Sequence, residues 1–158
     1  MKEVVFPGSF DPVTNGHLDL IKRALAIFGA VRVVVLTNQT KSGMFPVQKR
    51  VQFLKEALKG MKGVRVDCAQ GLLANYMKKH KLTTIVRGLR SAHDWNHERT
   101  NAYYNQLFNA KLETVFLPAA TQYQYISSSA VKEAVAYGAD VADLVPTCVA
   151  KAFKNAAK

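Results

Sequence analysis

Cysteine is nearly absent from this chain: Cys68 and Cys148 are the only two in 158 residues, and no CxxC occurs. Two thiols cannot build a disulfide framework; a single bridge stays open, and two core thiols in a reducing cytosol is the plainer reading. Long apolar runs are also missing, and none approaches the ~18 residues of a membrane-spanning helix. The opening stretch Met1–Gly8 is cut by Pro7 and Gly8, which predicts no cleaved leader. There is no GxGxxG, no GxxxxGK[ST] and no GxSxG. The dinucleotide fingerprint, the P-loop and the nucleophile elbow of serine hydrolases are therefore excluded. Acidic residues are scarce, with 11 Asp+Glu against 22 Lys+Arg, for a net charge of +11.

That excess is uneven. Residues 1–40 and 101–158 are nearly balanced, while residues 41–100 carry thirteen basic and four acidic side chains. Such a balance favours anionic partners: nucleic acid, an acidic membrane surface or phosphorylated small molecules. Length predicts one domain over residues 1–158, without repeat, low-complexity tract or linker. Hydrophobic residues make up 49% and charged residues 21%, which is ordinary for a globular chain and wrong for a disordered one.

Short β-branched runs alternate with helical spacing. Val4–Phe6, Val31–Leu36, Val64–Val66, Thr83–Val86 and Thr114–Leu117 read as strands. Leu18–Phe28, Val47–Leu58, Leu72–His80, Trp95–Phe108, Val131–Tyr137 and Val149–Phe153 read as helices. The strands are apolar without alternation, which predicts a parallel sheet covered on both faces: an α/β, Rossmann-like, doubly wound domain of about five strands with flanking helices. In such sheets ligands bind beyond the carboxyl ends of the strands, at the switch point of strand order.

Three strand ends carry candidate chemistry. After the first strand comes Pro7-Gly8-Ser9-Phe10-Asp11-Pro12-Val13-Thr14-Asn15-Gly16-His17. A helix N-terminus behind a loop of glycines and hydroxyls favours an anion, with Ser9 as donor and His17 on the first helical turn. A plain turn capped by Thr14 or Asn15 is the alternative. After the fourth strand come Arg87-Gly88-Leu89-Arg90. Guanidinium forks suit phosphate oxygens, and local pairing with Asp94 or Glu98 is the competing reading. After the fifth strand Gln122-Tyr123-Gln124-Tyr125-Ile126-Ser127-Ser128-Ser129 opens a helix, either as an anion or nucleotide site or as a simple serine cap. Lys41, in the loop after the second strand, falls at the same sheet edge. His93 and His97 stand i, i+4 as a helical zinc pair would, but no third ligand is evident, and structural or surface histidines are the favoured reading.

Taken together, Pro7–Pro12 with Thr14-Asn15-Gly16-His17, Val86–Arg90, and Ile126–Ser129 with Val131-Lys132-Glu133 resemble the bacterial phosphopantetheine adenylyltransferases. These belong to the nucleotidyltransferase superfamily related to the class I aminoacyl-tRNA synthetases, and T-x-G-H is this family's form of the H-x-G-H motif. The resemblance spans essentially the whole chain. It implies transfer of the adenylyl group of ATP to 4′-phosphopantetheine, giving dephospho-CoA and pyrophosphate, the penultimate step of coenzyme A synthesis. It further implies direct in-line attack, Mg²⁺ accompanying ATP, a cytoplasmic homohexamer, and no membrane or nucleic-acid partner.

The resemblance also carries residue roles. His17 would stabilise charge on the α-phosphate. Ser9 would hydrogen-bond the reacting phosphates, with Phe10 lending its backbone. Lys41 and Arg87 would hold the acceptor, Lys41 near the transferred phosphate. Arg90, next to Gly88 and Leu89 in the ATP site, and Ser127, Ser128 and Ser129 would grip the β- and γ-phosphates. Glu98 would take part in nucleotide binding, and Tyr123, Gln124, Tyr125 and Ile126 would line the adenine side. Leu73 and Asn105 would contact the pantetheine arm. The chain departs from the family at Asp94-Trp95-Asn96-His97-Glu98, where Asp-Phe-Glu-Tyr-Glu is common. Two rivals remain: another adenylyl- or cytidylyltransferase, such as one acting on nicotinate mononucleotide, and a basic nucleic-acid-binding module. The rival transferases usually carry Ser-Ser-Thr with a following Arg. Lys55, Lys59 and Lys62 fall near one face of the second helix, but without the stacking aromatics beside them that a nucleic-acid groove uses, and a solvated helix face is the favoured reading.

Overall fold

The valine-rich runs lie side by side. A computed structural model describes residues 2–37 and 43–156. Its strands are β1 (Lys2–Gly8), β2 (Gly29–Thr37), β3 (Val64–Gln70), β4 (Thr84–Leu89) and β5 (Glu113–Pro118). They form one parallel sheet in the order β3-β2-β1-β4-β5. The helices are α1 (Asn15–Phe28), α2 (Val47–Ala57), α3 (Leu73–Lys79), α4 (Ala92–Phe108), α5 (Ser128–Ala136) and α6 (Thr147–Ala156), with a 3₁₀ turn at Thr121–Tyr123. Among the described residues no helix is long and apolar enough to cross a membrane.

Side-chain alternation along β1 distributes the core. Val4 and Phe6 face a layer with Leu20, Ile21 and Ala24 of α1, Phe53 and Leu54 of α2, Val131 of α5 and Val149 of α6. Val5 faces the other way, with Val34, Ala74, Met77, Leu82, Ile85 and Leu112. Strands buried on both faces need no polar alternation, which is why they read as continuous apolar runs.

Local chemistry sets the helix ends that matter for the site. Thr14 caps α1 with its side chain, Ser91 caps α4 by accepting from the Asp94 amide, and Ser127 caps α5 by accepting from the Ala130 amide. At the far end of α1, Gly29 turns at φ 80° and its amide bonds the Leu25 carbonyl; that left-handed cap frees the chain to enter β2 directly.

Several boundaries differ from the sequence reading. β4 runs on through Arg87, Gly88 and Leu89, because their register opposite Phe116, Leu117 and Pro118 continues the ladder. The arginine pair thus straddles the strand end instead of following it. α4 starts at Ala92, so His93 and Asp94 are helical. Lys59 and Lys62 lie beyond the end of α2 and do not share its face with Lys55. The two thiols are not both core residues: Cys148 is half-buried against the Phe53 carbonyl, but Cys68 is exposed, since β3 is an edge strand with little cover.

Candidate active site

Strand order reverses at β1, which pairs with β2 on one side and β4 on the other. A cleft of about 270 Å³ opens at the carboxyl ends of these strands, where the topology places ligands. It is lined from β1 and its loop by Gly8 and Ser9, from α1 by Gly16 and His17, from the β4 end by Arg87, Gly88 and Arg90, from α4 by Asp94 and Glu98, and from the approach to α5 by Tyr123 and Ile126–Ser129.

His17 is the third residue of α1. Its Nδ1 accepts the Thr14 backbone N–H at 3.1 Å and lies 3.0 Å from Thr14 Oγ1, while the His17 amide donates to that hydroxyl. An acceptor Nδ1 fixes the tautomer, so the proton sits on Nε2. Burial, then the positive charges of Arg87 and Arg90, push the pKa of His17 down to about 4. The ring is a neutral imidazole at ordinary pH, with one N–H donor on the wall of the cleft that holds both arginines.

Phe10 supports that ring from below. Its side chain is buried, with the ring edge-on to His17 at 5.2 Å between centroids. The backbone there has φ 47°, a left-handed conformation that an aromatic residue adopts only when its surroundings impose it. Gly8 makes room: a Cβ there would come within 3.1 Å of the Phe10 ring.

Both arginines are partnered. Arg87 donates to the Pro7 carbonyl and, through Nε and Nη2, forms a two-pronged ion pair with the buried carboxylate of Glu98 on α4. Arg90 binds Asp94 in the same manner, Nε to Oδ2 at 2.9 Å and Nη2 to Oδ1 at 3.1 Å. Burial would raise the Asp94 pKa, but the Arg90 side chain and amide outweigh it and hold the carboxyl below its ordinary range. The local pairing weighed in the sequence is thus present at both positions. Gly88, between them, lies under α1: a Cβ would sit 2.3 Å from Leu20 Cδ1. A side chain at this position would force the buried Leu20 side chain of the helix that carries His17 to shift.

The amino end of α5 closes the cleft. Ser127 is spent on capping, and Ser128 Oγ donates to the Pro12 carbonyl at 2.8 Å, tying this turn to the β1 loop. The first amides of α5 supply the positive end of the helix dipole there.

A second cleft of about 280 Å³ adjoins the first and shares Pro7, Arg87 and Glu98 with it. Leu72, Leu73, Tyr104, Asn105 and Phe108 give it a mostly apolar wall, the kind suited to an uncharged chain. The structure thus gathers Ser9, His17, Gly88, Arg90, Glu98, Tyr123, Ile126 and Ser127–Ser129 around one cleft and Leu73 and Asn105 around its neighbour, with Arg87 between. Leu89, Gln124 and Tyr125 are not on either wall, and Tyr125 projects outward at 86% exposure. Lys41 lies outside the described residues.

Among the described residues no three His, Cys, Asp or Glu side chains cluster as a metal site, so His93 and His97 gain no third ligand. Sequence reasoning passed over Arg50, which is buried on α2 and reaches the Ser9 carbonyl. A signal was there: Arg50 stands three after Val47 and four before Leu54, a cation on the apolar face of its helix.

The chain matches the cytidylyltransferase-like family model over residues 5–134. It is 44% identical over 151 residues to the phosphopantetheine adenylyltransferase of Syntrophotalea carbinolica, covering 96% of this chain and 91% of that one. It is also 44% identical over 149 residues to the enzymes of the same name from Thermotoga neapolitana and Syntrophomonas wolfei, covering 94% of this chain and 92% of each of those. A solved structure from Vibrio parahaemolyticus, described as a nicotinate-nucleotide adenylyltransferase, superposes with a TM-score of 0.68 at 18% identity, over 98% of this chain and all of that one; that likeness bears on the fold alone. The chain belongs to the phosphopantetheine adenylyltransferase family of cytidylyltransferase-like nucleotidyltransferases.

Proposed function

We propose that the chain joins ATP and 4′-phosphopantetheine into dephospho-CoA and pyrophosphate in these two clefts. The observation that carries the reading is their junction: a polar cleft holding two arginines and an apolar one meet at Arg87 and Glu98, beside a neutral His17 whose free N–H is a donor.

The triphosphate lies along the first cleft. Arg90 and the Ser127–Ser129 turn take the β- and γ-phosphates, and Tyr123 and Ile126 face the base. Glu98, at the shared wall, takes part in placing the nucleotide. The pantetheine arm runs along Leu73 and Asn105, and its phosphate meets Arg87. An oxygen of that phosphate attacks the α-phosphorus, the bond to the β-phosphate oxygen breaks, and pyrophosphate leaves with the electron pair. A phosphate nucleophile is already anionic, so no general base is required. The work is positioning and neutralisation of charge. His17 Nε2–H and Ser9 Oγ donate to the α-phosphate oxygens as charge builds there. Arg87 reaches the acceptor by exchanging part of its bond with Glu98 for the incoming phosphate.

Mg²⁺ accompanies ATP in this reading and would draw charge from the departing pyrophosphate. The acids beside the cleft, Asp94 and Glu98, are each committed to an arginine. The donor set fits an ion held by phosphate oxygens and water, and not by a cage of protein ligands. The working form is a cytoplasmic homohexamer, with residues 1–158 of each copy forming one nucleotidyltransferase domain. Tyr103, Leu107 and Phe108 along the exposed side of α4 supply apolar surface for a second copy to cover.

Pyrophosphate release with each acceptor in turn tests the reading. Turnover with 4′-phosphopantetheine supports it; turnover with nicotinate mononucleotide alone would replace it.

A further inference from the structure

Asp11 and Arg50 are buried, charged, and outside both clefts. The two Asp11 oxygens accept the consecutive amides of Met44 and Phe45, each at 2.8 Å. Arg50 donates from Nε to the Phe45 carbonyl at 2.9 Å and from Nη1 to the Ser9 carbonyl at 3.0 Å, and its Nε is 4.0 Å from Asp11. Lys132, from the helix whose start closes the cleft, reaches Asp11 at 3.4 Å. One cluster therefore ties together the β1 loop, the start of α2 and α5. Gly43 lies against it, and a Cβ there would sit 3.0 Å from Arg50 Nη2.

Its bonds end on the backbone that the cleft depends on. Arg50 grips the carbonyl of Ser9, one residue before the left-handed Phe10, and the Phe10 ring stands against His17. A left-handed aromatic residue persists only where its neighbours over-determine it. Arg50 on one side and the Asp11 carboxylate on the other supply that determination.

We infer that Arg50, with Asp11, is a positioning pair for the transfer reaction: it holds the Ser9–Phe10 backbone so that the Ser9 hydroxyl and the His17 ring stand in register at the α-phosphate. This rests on the adenylyl-transfer reading of the same cleft. The guanidinium matters for its fork, since one side chain must reach two carbonyls. A lysine keeps the charge beside Asp11 but presents its donors from one nitrogen, without the spaced Nε and Nη1 that Arg50 uses for the two carbonyls.

The test is Arg50→Lys, compared with the wild-type chain by thermal melting, by kcat and KM for both substrates, and by the NMR shifts of the His17 ring, which the Phe10 ring current reports. The expected result is a Tm within about 3 °C of wild type with kcat down about tenfold or more, and KM values changed less than about threefold. The His17 resonances are expected to move. Wild-type kcat in Arg50→Lys would overturn the inference. So would a loss of kcat that merely follows the unfolded fraction and disappears on cooling. If the wild-type chain itself releases no pyrophosphate with 4′-phosphopantetheine, the proposed function fails separately. The positioning pair is then judged on the NMR readout alone, where unmoved His17 resonances overturn it and displaced ones uphold it. Lys132→Met, which removes only a longer, half-exposed contact to Asp11, is expected to leave kcat within about twofold; a larger loss than in Arg50→Lys would place the control in Lys132 instead.

Discussion

The backbone N–H of Thr14 donates to Nδ1 of His17 at 3.1 Å, and this bond decides which nitrogen of the ring faces the cleft as a donor. The Thr14 side chain adds a second contact to the same nitrogen and caps the helix. Removing the ring and removing the hydroxyl are therefore expected to do different things. His17→Ala should lower kcat by about 10²–10³, the range for loss of one donor to a developing oxyanion, with little change in melting. Thr14→Val should cost about 1 kcal/mol of stability through the lost cap and reduce kcat much less, because the backbone donor stays. Steady-state kinetics beside thermal melts separate the two; near-normal turnover in His17→Ala would remove it from the mechanism.

Acid should destabilise the fold in two windows. His17 has a folded pKa of about 4 against an ordinary 6.5. Between those values the unfolded chain binds more protons than the folded one, so stability is full above about pH 6.5 and is lost as pH falls toward 4. Asp11 titrates lower. Burial pushes its pKa up, but the Phe45 and Met44 amides, then Lys132 and Arg50, hold it below 3.8. Its contribution is present above that value and lost only as pH falls through the folded pKa. Melting curves from pH 7 to 3 check this: His17→Gln should flatten the upper decline and leave the lower one. A wild-type Tm that is flat from pH 6.5 to 4.5 would contradict it.

Gly88→Ala should be costly because the new Cβ meets Leu20 Cδ1 at 2.3 Å. Overpacking of this kind costs about 1–3 kcal/mol. The relief test is Leu20→Ala in the same chain: the two changes should be less than additive in urea unfolding, by about 0.5–3 kcal/mol. Additive losses would mean the helix has moved away instead.

Arg87 and Arg90 hold different carboxylates and should have different kinetic signatures. Arg87→Ala should raise KM for the phosphopantetheine acceptor more than KM for ATP, and Arg90→Ala the reverse. With the other substrate saturating in each assay, the opposite pattern would mean the two pockets are exchanged. Glu98→Gln keeps the shape of the Arg87 partner but leaves one prong of the fork facing an amide NH2, and should weaken ATP binding and also lower the melt.

The alternation of valine runs with helical spacing is enough to read five parallel strands, and the sheet bears this out. Loop chemistry points to Ser9, His17 and the serine turn, and the structure brings these residues together around the cleft at the strands' carboxyl ends. What stayed hidden was pairing across the fold. Pairing of Arg87 with Asp94 or Glu98 is legible as one of two readings, but which carboxylate each arginine takes is not: only the packing of α4 on β4 gives Glu98 to Arg87 and leaves Asp94 to Arg90. Arg50 reads as one more basic residue in a basic segment until its burial is seen. The neutrality of His17 depends on burial and two neighbouring cations, none of which is local in sequence. Strand ends were misjudged for the same reason: Arg87 and Gly88 look like loop, but a neighbouring strand extends the ladder through them.

The most direct test is a crystal structure of the chain with the non-cleavable α,β-methylene analogue of ATP and 4′-phosphopantetheine. The α-phosphate is predicted to lie within hydrogen-bonding distance of His17 Nε2 and Ser9 Oγ, with the β- and γ-phosphates on Arg90 and the Ser127–Ser129 turn. The acceptor phosphate should sit at Arg87 with its arm along Leu73 and Asn105. A triphosphate bound elsewhere, or His17 turned away from the α-phosphate with both substrates in place, would contradict this mechanism.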